Sequence, residues 1–340
     1  MRATDQIDQI FVMTLLLFAG CGAPADPAHP DAALGAGDGL GLIDARVPVD
    51  DACFPHPAAG HSSYTCDGHA FDVEVPAQCL TGGCGIILDV HGLTMSGPME
   101  DANTELRMRG SAAGFVVIQP SATPAPPQAS WSADDEPKVF DILTRAIAVY
   151  AIDPDRVHMT GFSQGGFMTW RFVCAHADVL ASVAPAAAAS NCASAGGAGP
   201  VQAACSFTGA EMPSRKLSIL YMHGRADENY IPFSCAQPQV DAIASAWGLH
   251  ADGVVASGAG YTRTRWRDAA IDVEVELLAH DYTSTAQVPF VSASELQGHC
   301  FPGSNDPGNQ PGQLFSFRCE QPAAFTWGDE VVKFFLAHER

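Results

Sequence analysis

The chain has 340 residues, 47% of them hydrophobic and 16% charged, and carries a formal net charge of −21. That length suits one large buried core plus a leader, with no internal repeat. So acidic a balance, with no basic stripe, speaks against a nucleic-acid or polyanion partner. A neutral polymeric partner fits it better, and much of the acidity serves solubility.

The first element is a targeting segment. Ile10 to Ala19 is an apolar run too short to span a bilayer and of the length of a signal-peptide core. Two processing readings stand side by side. Phe18-Ala19-Gly20-Cys21 resembles a bacterial lipobox, with Phe18 where leucine is expected, and would leave Cys21 lipidated; Ala23-Pro24-Ala25 would instead release a soluble protein starting at Asp26. Both predict export, with membrane attachment only through a lipid on Cys21. The expected organisation is a signal segment over 1–21, a flexible Ala/Gly/Pro/Asp-rich linker over 22–51 and a folded domain over 52–340.

Eleven cysteines fit an oxidising compartment, and setting Cys21 aside leaves an even number to pair. Cys79 with Cys84, and Cys192 with Cys205, are expected as local staples across short loops. No C-x-x-C pair occurs, and His56, His61, Asp67 and His69 read as scattered loop residues, so no metal site is predicted.

The domain then alternates strand and helix. Phe71–Val75 alternates as an antiparallel strand, and Gly85–Val90 is almost continuously apolar, as in a strand covered on both faces. A helix over Met99–Arg109, a strand over Phe115–Ile118 and a helix over Lys138–Tyr150 follow. Later come a strand over Leu217–Met222 and an amphipathic helix over Trp327–Ala337. This order predicts an α/β fold with a mostly parallel sheet and helices on both faces.

Between the short strand-like run Arg156–Thr160 and the helix-like run Phe167–Val173 lies Gly161-Phe162-Ser163-Gln164-Gly165, a G-x-S-x-G pattern in the strand-to-helix context of a nucleophile elbow. A serine hydroxyl is a poor nucleophile near neutral pH and needs a base, an acid that orients the base, and donors for the developing oxyanion. Asp227 follows the Leu217–Met222 strand and is the expected acid, ahead of Glu228 and Asp241. His299, in the Gly/Pro-bounded loop Gly298-His299-Cys300-Phe301-Pro302-Gly303, is the expected base, with His280 as its rival. The N–H groups of Gln164 and Leu93 are the expected oxyanion donors, Thr94 standing behind Leu93, while His91 shapes that loop. His158 reads as packed within the elbow strand.

Taken together these segments resemble the exported α/β-hydrolases known as polyhydroxybutyrate depolymerases and feruloyl esterases. The resemblance rests on His91-Gly92, the Asp-Pro-Asp-Arg-Val lead into Thr160–Thr169, the Ala-rich stretch at Val183-Ala184-Pro185, the His-Gly-x-x-Asp segment ending at Asp227, and Gly298-His299-x-x-Pro302-Gly303. It covers roughly residues 64 to 338 and departs from the family at Cys300 and Phe301, and in a longer approach over 281–296. It implies an α/β-hydrolase fold and a secreted serine esterase without metal or organic cofactor. The ester substrate it implies is a polyester, or a feruloyl or acetyl ester on cell-wall polysaccharide. A non-catalytic polysaccharide-binding lipoprotein on the same fold is the alternative. Trp131 and Phe301 are the aromatics expected to line the substrate groove. A Cys235–Cys300 bridge is expected to clamp the acid and base loops, with Cys174 and Cys319 as competing partners.

Overall fold

The structure is a computed structural model and describes residues 48, 50–190, 205, 207–208, 211–228, 230–285, 296–307, 309–310 and 316–340. The signal segment, Cys21 and nearly all of the linker lie outside the described residues.

Strands β1 (Gly60–Cys66) and β2 (His69–Val75) form a hairpin because Asp67 and Gly68, at φ 47° and 84°, close the two-residue turn that matches the twist of paired strands. Strand β2 then runs antiparallel to β4 (Phe115–Pro120). From β4 the sheet is parallel through β3 (Gly85–Val90), β5 (Val157–Phe162), β6 (Ser182–Ala186), β7 (Ser218–Gly224) and β10 (Val273–His280). Beyond β10, the antiparallel strands β9 (Tyr261–Asp268) and β8 (His250–Gly258) complete the order β1-β2-β4-β3-β5-β6-β7-β10-β9-β8.

Alternation along the buried strands divides the core into two layers. Ile86, Leu88 and Val90 of β3 join one cluster with Val139, Trp170 and Ile243, contributed by α3 (Glu136–Val149), α4 (Gln164–Ala175) and α5 (Ala236–Trp247). Ile87, between them, joins the opposite cluster with Leu106 of α2 (Leu106–Ala112) and Phe335 of α6 (Trp327–Ala337). Side chains two apart share a face, so a strand buried at every position is one with helices on both sides.

Three local expectations are corrected. The helix expected over Met99–Arg109 is broken into α1 (Gly97–Thr104) and α2 at Glu105, which is left-handed at φ 55°. The break has a packing cause: the Thr104 carbonyl lies where Gly328 of α6 approaches so closely that a Cβ on Gly328 would sit 1.9 Å from it. Cys205 pairs with Cys174, not Cys192, and Cys192 lies outside the described residues. Cys300 pairs with Cys319, not Cys235. The Cys79–Cys84 staple forms as expected, and a further bridge joins Cys53 to Cys66.

Candidate active site

Ser163 sits between β5 and α4 at φ 53° and ψ −114°, a backbone conformation costly for a residue with a Cβ. It is held there from both sides, its N–H donating to the Ala186 carbonyl at 2.9 Å and its carbonyl accepting from Phe167 N at 3.0 Å. The turn can be this tight only because a Cβ on Gly165 would lie 1.8 Å from the Val90 carbonyl oxygen. The result lifts the Ser163 side chain out of the sheet at the carboxyl ends of the parallel strands, where loops from β3, β7 and β10 converge.

Asp227 follows β7 and is fully buried. One carboxylate oxygen, Oδ1, accepts from the N–H groups of Ile231 at 3.2 Å and Tyr230 at 3.4 Å; the other, Oδ2, accepts from His299 Nδ1 at 2.6 Å. Burial opposes its charge, but His299 and the hydrogen bond from His223 outweigh burial and hold the carboxyl well below the usual carboxylate range. The acid and base loops touch backbone to backbone, since a Cβ on Gly298 would lie 2.4 Å from Asp227 N.

The His299 ring is 2% exposed, stacked on Tyr230 at 5.0 Å and tilted against Phe162, the residue before Ser163, at 4.7 Å. Its Nδ1 is committed to Asp227, which leaves Nε2 as the basic nitrogen. Ser163 Oγ makes no side-chain hydrogen bond among the described residues. His280 ends β10 opposite Gly224 and is buried against Tyr282, and it makes no hydrogen bond to Asp227 among the described residues. Burial pushes its imidazole down to about 3, keeping it neutral.

Sequence reasoning passed over His223 and Tyr221. Tyr221 Oη lies 2.6 Å from His223 Nδ1, and His223 Nε2 donates to the Ile231 carbonyl at 2.8 Å and reaches to 3.5 Å from Asp227 Oδ2. These two residues brace the acid loop from beneath. Their spacing of two on an all-buried strand was the available signal.

Leu93 lies in the loop after β3. The Thr94 N–H is already donated to the Ala129 carbonyl at 2.8 Å, whereas the Leu93 N–H has no hydrogen-bond partner among the described residues. The Gln164 N–H opens α4 and has no acceptor within its own helix. His91 fixes the loop in the Nδ1–H form, donating to the Gly92 carbonyl at 2.7 Å while Nε2 accepts from Ala122 N at 2.9 Å. Burial lowers its imidazole to about 4, so it stays neutral.

Trp131 and Phe301 do not line a groove, which corrects the expectation for both. Trp131 is 1% exposed, donates its indole N–H to the His91 carbonyl at 2.8 Å, and through its own backbone N–H holds Gln164 Oε1 at 2.8 Å. Phe301 is 0% exposed and packs on Phe162 at 4.1 Å. Both rings fill space in the buried interior beside the elbow and the His91 loop.

The acetyl xylan esterase from Aspergillus awamori superposes with a TM-score of 0.53 at 16% identity, covering 65% of this chain and 93% of that one. The chain has the α/β-hydrolase fold. No family model matches it. The chain is 26% identical over 164 residues to a bifunctional acetylxylan esterase/xylanase of Neocallimastix patriciarum, covering 47% of this chain and 22% of that protein. It is 33% identical over 101 residues to poly(3-hydroxyalkanoate) depolymerase C of Paucimonas lemoignei, covering 30% and 17% respectively. The chain thus spans less than a quarter of the length of these curated relatives.

Proposed function

We propose that this protein of α/β-hydrolase fold is an exported serine carboxylic-ester hydrolase acting through an acyl-enzyme. The observation that carries the reading is the 2.6 Å hydrogen bond between Asp227 and His299, formed across 72 residues of sequence beside a nucleophile elbow. In the first step Ser163 Oγ attacks the ester carbonyl as His299 Nε2 takes its proton, with Asp227 stabilising the imidazolium. The Leu93 and Gln164 N–H groups receive the oxyanion. His299 then protonates the leaving alcohol, and the second step repeats the sequence with water as nucleophile. The named activities of the sequence relatives and the paired cysteines support an exported esterase.

For the substrate, we place short aliphatic acyl groups ahead of feruloyl groups. A feruloyl slot needs an aromatic face for the ring to stack on, and the two rings expected to supply one are buried beneath the site. Hydroxyacyl polyester stands first and acetylated polysaccharide second, the latter favoured by the acetylxylan esterase relative. A panel of short p-nitrophenyl esters, polyhydroxybutyrate film, acetylated xylan and methyl ferulate tests the order. A kcat/KM for methyl ferulate well above that for hydroxybutyrate oligomers would reverse it. Failure of Ser163 to react with a fluorophosphonate, with no turnover of any ester, would instead support a polysaccharide-binding lipoprotein.

A further inference from the structure

The loop over residues 121–135, between β4 and α3, forms neither helix nor strand, yet it holds both sides of the proposed oxyanion hole. Its Ala129 carbonyl accepts the Thr94 N–H at 2.8 Å, and its Ala122 N–H donates to His91 Nε2 at 2.9 Å. Trp131 donates its indole N–H to the His91 carbonyl and its backbone N–H to Gln164 Oε1, both at 2.8 Å, while Gln164 Nε2 donates to Ser130 Oγ at 3.0 Å. Leu93 lies within the stretch 91–94, and Gln164 is gripped through its own side chain, so both donors follow the course of this loop.

One buried side chain closes the loop at its base. His69, which the sequence suggests is a loop residue, opens β2 and is 1% exposed. Its Nδ1 lies 3.1 Å from the carbonyl of Ser121, the first residue of the loop, and its Nε2 lies 3.0 Å from Oδ1 of Asp135, the last. A carbonyl oxygen only accepts, and so does an ionised carboxylate. Burial opposes the charge of Asp135, but the Ser132 hydroxyl and N–H, each 2.7 Å from Oδ2, together with Lys138 and His69, outweigh burial and hold the carboxyl below its usual range. The His69 ring therefore spans the two loop ends as a double donor, and it stacks on Trp131 at 5.9 Å between centroids. We propose that His69 and Asp135 are a positioning pair that closes the 121–135 loop and thereby aims the Leu93 and Gln164 N–H groups at the oxyanion. The proposal rests on the reading of Leu93 and Gln164 as oxyanion donors.

Without the His69 donors, Asp135 keeps Ser132 and Lys138, but the two ends of the loop are no longer tied to one ring. The bonds to His91, Thr94 and Gln164 then join segments that can shift together. A misplacement of ~1 Å, even from a change remote from the chemistry, costs on the order of 100-fold in rate. Both side chains are buried, so the ester does not reach them. Their effect falls on the transition state, because oxyanion donors meet negative charge only as it develops.

The test compares wild type, His69→Phe and Asp135→Asn on a short p-nitrophenyl ester, with circular dichroism as the check on folding. His69→Phe keeps a ring against Trp131 and removes both donors. In Asp135→Asn the side-chain carbonyl takes the place of Oδ2 and accepts from Ser132, while the NH2 group donates to His69 Nε2, so the clasp survives without its charge. The expected result for His69→Phe is a kcat lowered at least about 10-fold with KM within about 3-fold of wild type, and for Asp135→Asn a kcat lowered no more than about 3-fold. If His69→Phe does not fold with Asp135 left charged, the double variant His69→Phe/Asp135→Asn takes its place with the same expected loss. An unchanged kcat in the folded Phe variant, a loss carried by KM rather than kcat, or an Asp135→Asn enzyme as impaired as His69→Phe would each overturn the proposal. Ser163→Ala, run in parallel, separates this failure from failure of the esterase reading. Turnover surviving in Ser163→Ala would remove the nucleophile itself, whereas an inactive Ser163→Ala beside an unimpaired His69→Phe would remove only the positioning pair.

Discussion

Asp227→Asn is the substitution whose outcome the hydrogen bonds determine most closely. Oδ1 of Asp227 accepts two backbone N–H groups, from Tyr230 and Ile231, and the side-chain carbonyl of Asn must take that position to satisfy them. Its NH2 group then replaces Oδ2, where it faces His299 Nδ1 at the 2.6 Å site. Two N–H groups cannot point at each other, so His299 shifts its proton to Nε2 and Nδ1 becomes the acceptor. Nε2 is then unable to take the Ser163 proton. A wrong tautomer with intact geometry costs about 10⁴-fold in kcat, or about 5.4 kcal/mol at 1.36 kcal/mol per tenfold. Loss of the long His223 contact adds a modest stability cost of about 1 kcal/mol. The assay is kcat for p-nitrophenyl acetate alongside a urea melt. A folded Asp227→Asn enzyme retaining more than about a tenth of wild-type kcat would refute the assignment of Asp227 as the orienting acid.

Further outcomes follow from the same geometry. Ser163→Ala and His299→Ala are each expected to lower kcat by at least about 10³-fold, whereas His280→Ala, lacking a bond to Asp227, should stay near wild type; the reverse pattern for the two histidines would move the base to His280. Replacing Cys300 and Cys319 with Ala opens a loop of separation 19 and should cost about 3 kcal/mol, seen as a lower midpoint in a urea titration. Asp227 and Asp89 should shape stability in opposite senses. The depressed Asp227 contributes stability above its unfolded value and loses it as pH falls toward its folded one, so Asp227→Asn should flatten the acid limb of a Tm-against-pH curve. Asp89 of β3, fully buried and raised by that burial, contributes below its unfolded value and loses that contribution as pH rises through about 7, so the Tm of Asp89→Asn relative to wild type should climb between pH 5 and pH 8. A relative Tm that is flat over that interval would show that Asp89 does not titrate there.

The strand, elbow and helix around Ser163 were legible in the chain because their causes lie within a few residues: the strand-forming run of β5, the small residues that permit the turn, and the helical spacing after it. Asp227 and His299 were legible for a similar reason, each standing in a loop beside a buried strand or a Gly/Pro boundary. The α6 bounds coincide with the apolar period of Trp327–Ala337. The meander of β8 and β9 left weaker traces, since much of β8 is exposed and no buried face imposes an alternation. Cysteine partners were beyond sequence because pairing depends on which loops the sheet brings within about 5–6 Å between Cα atoms. Sequence proximity favoured Cys192 for Cys205 and function favoured Cys235 for Cys300, but tertiary packing set Cys174 and Cys319 at 5.5 and 5.1 Å. The same holds for Trp131, Phe301, His69 and Asp89. A residue's type states which contacts it can make, and only the packed interior decides whether an aromatic faces solvent or fills the space beneath a catalytic loop, and whether a carboxyl keeps its charge or its proton.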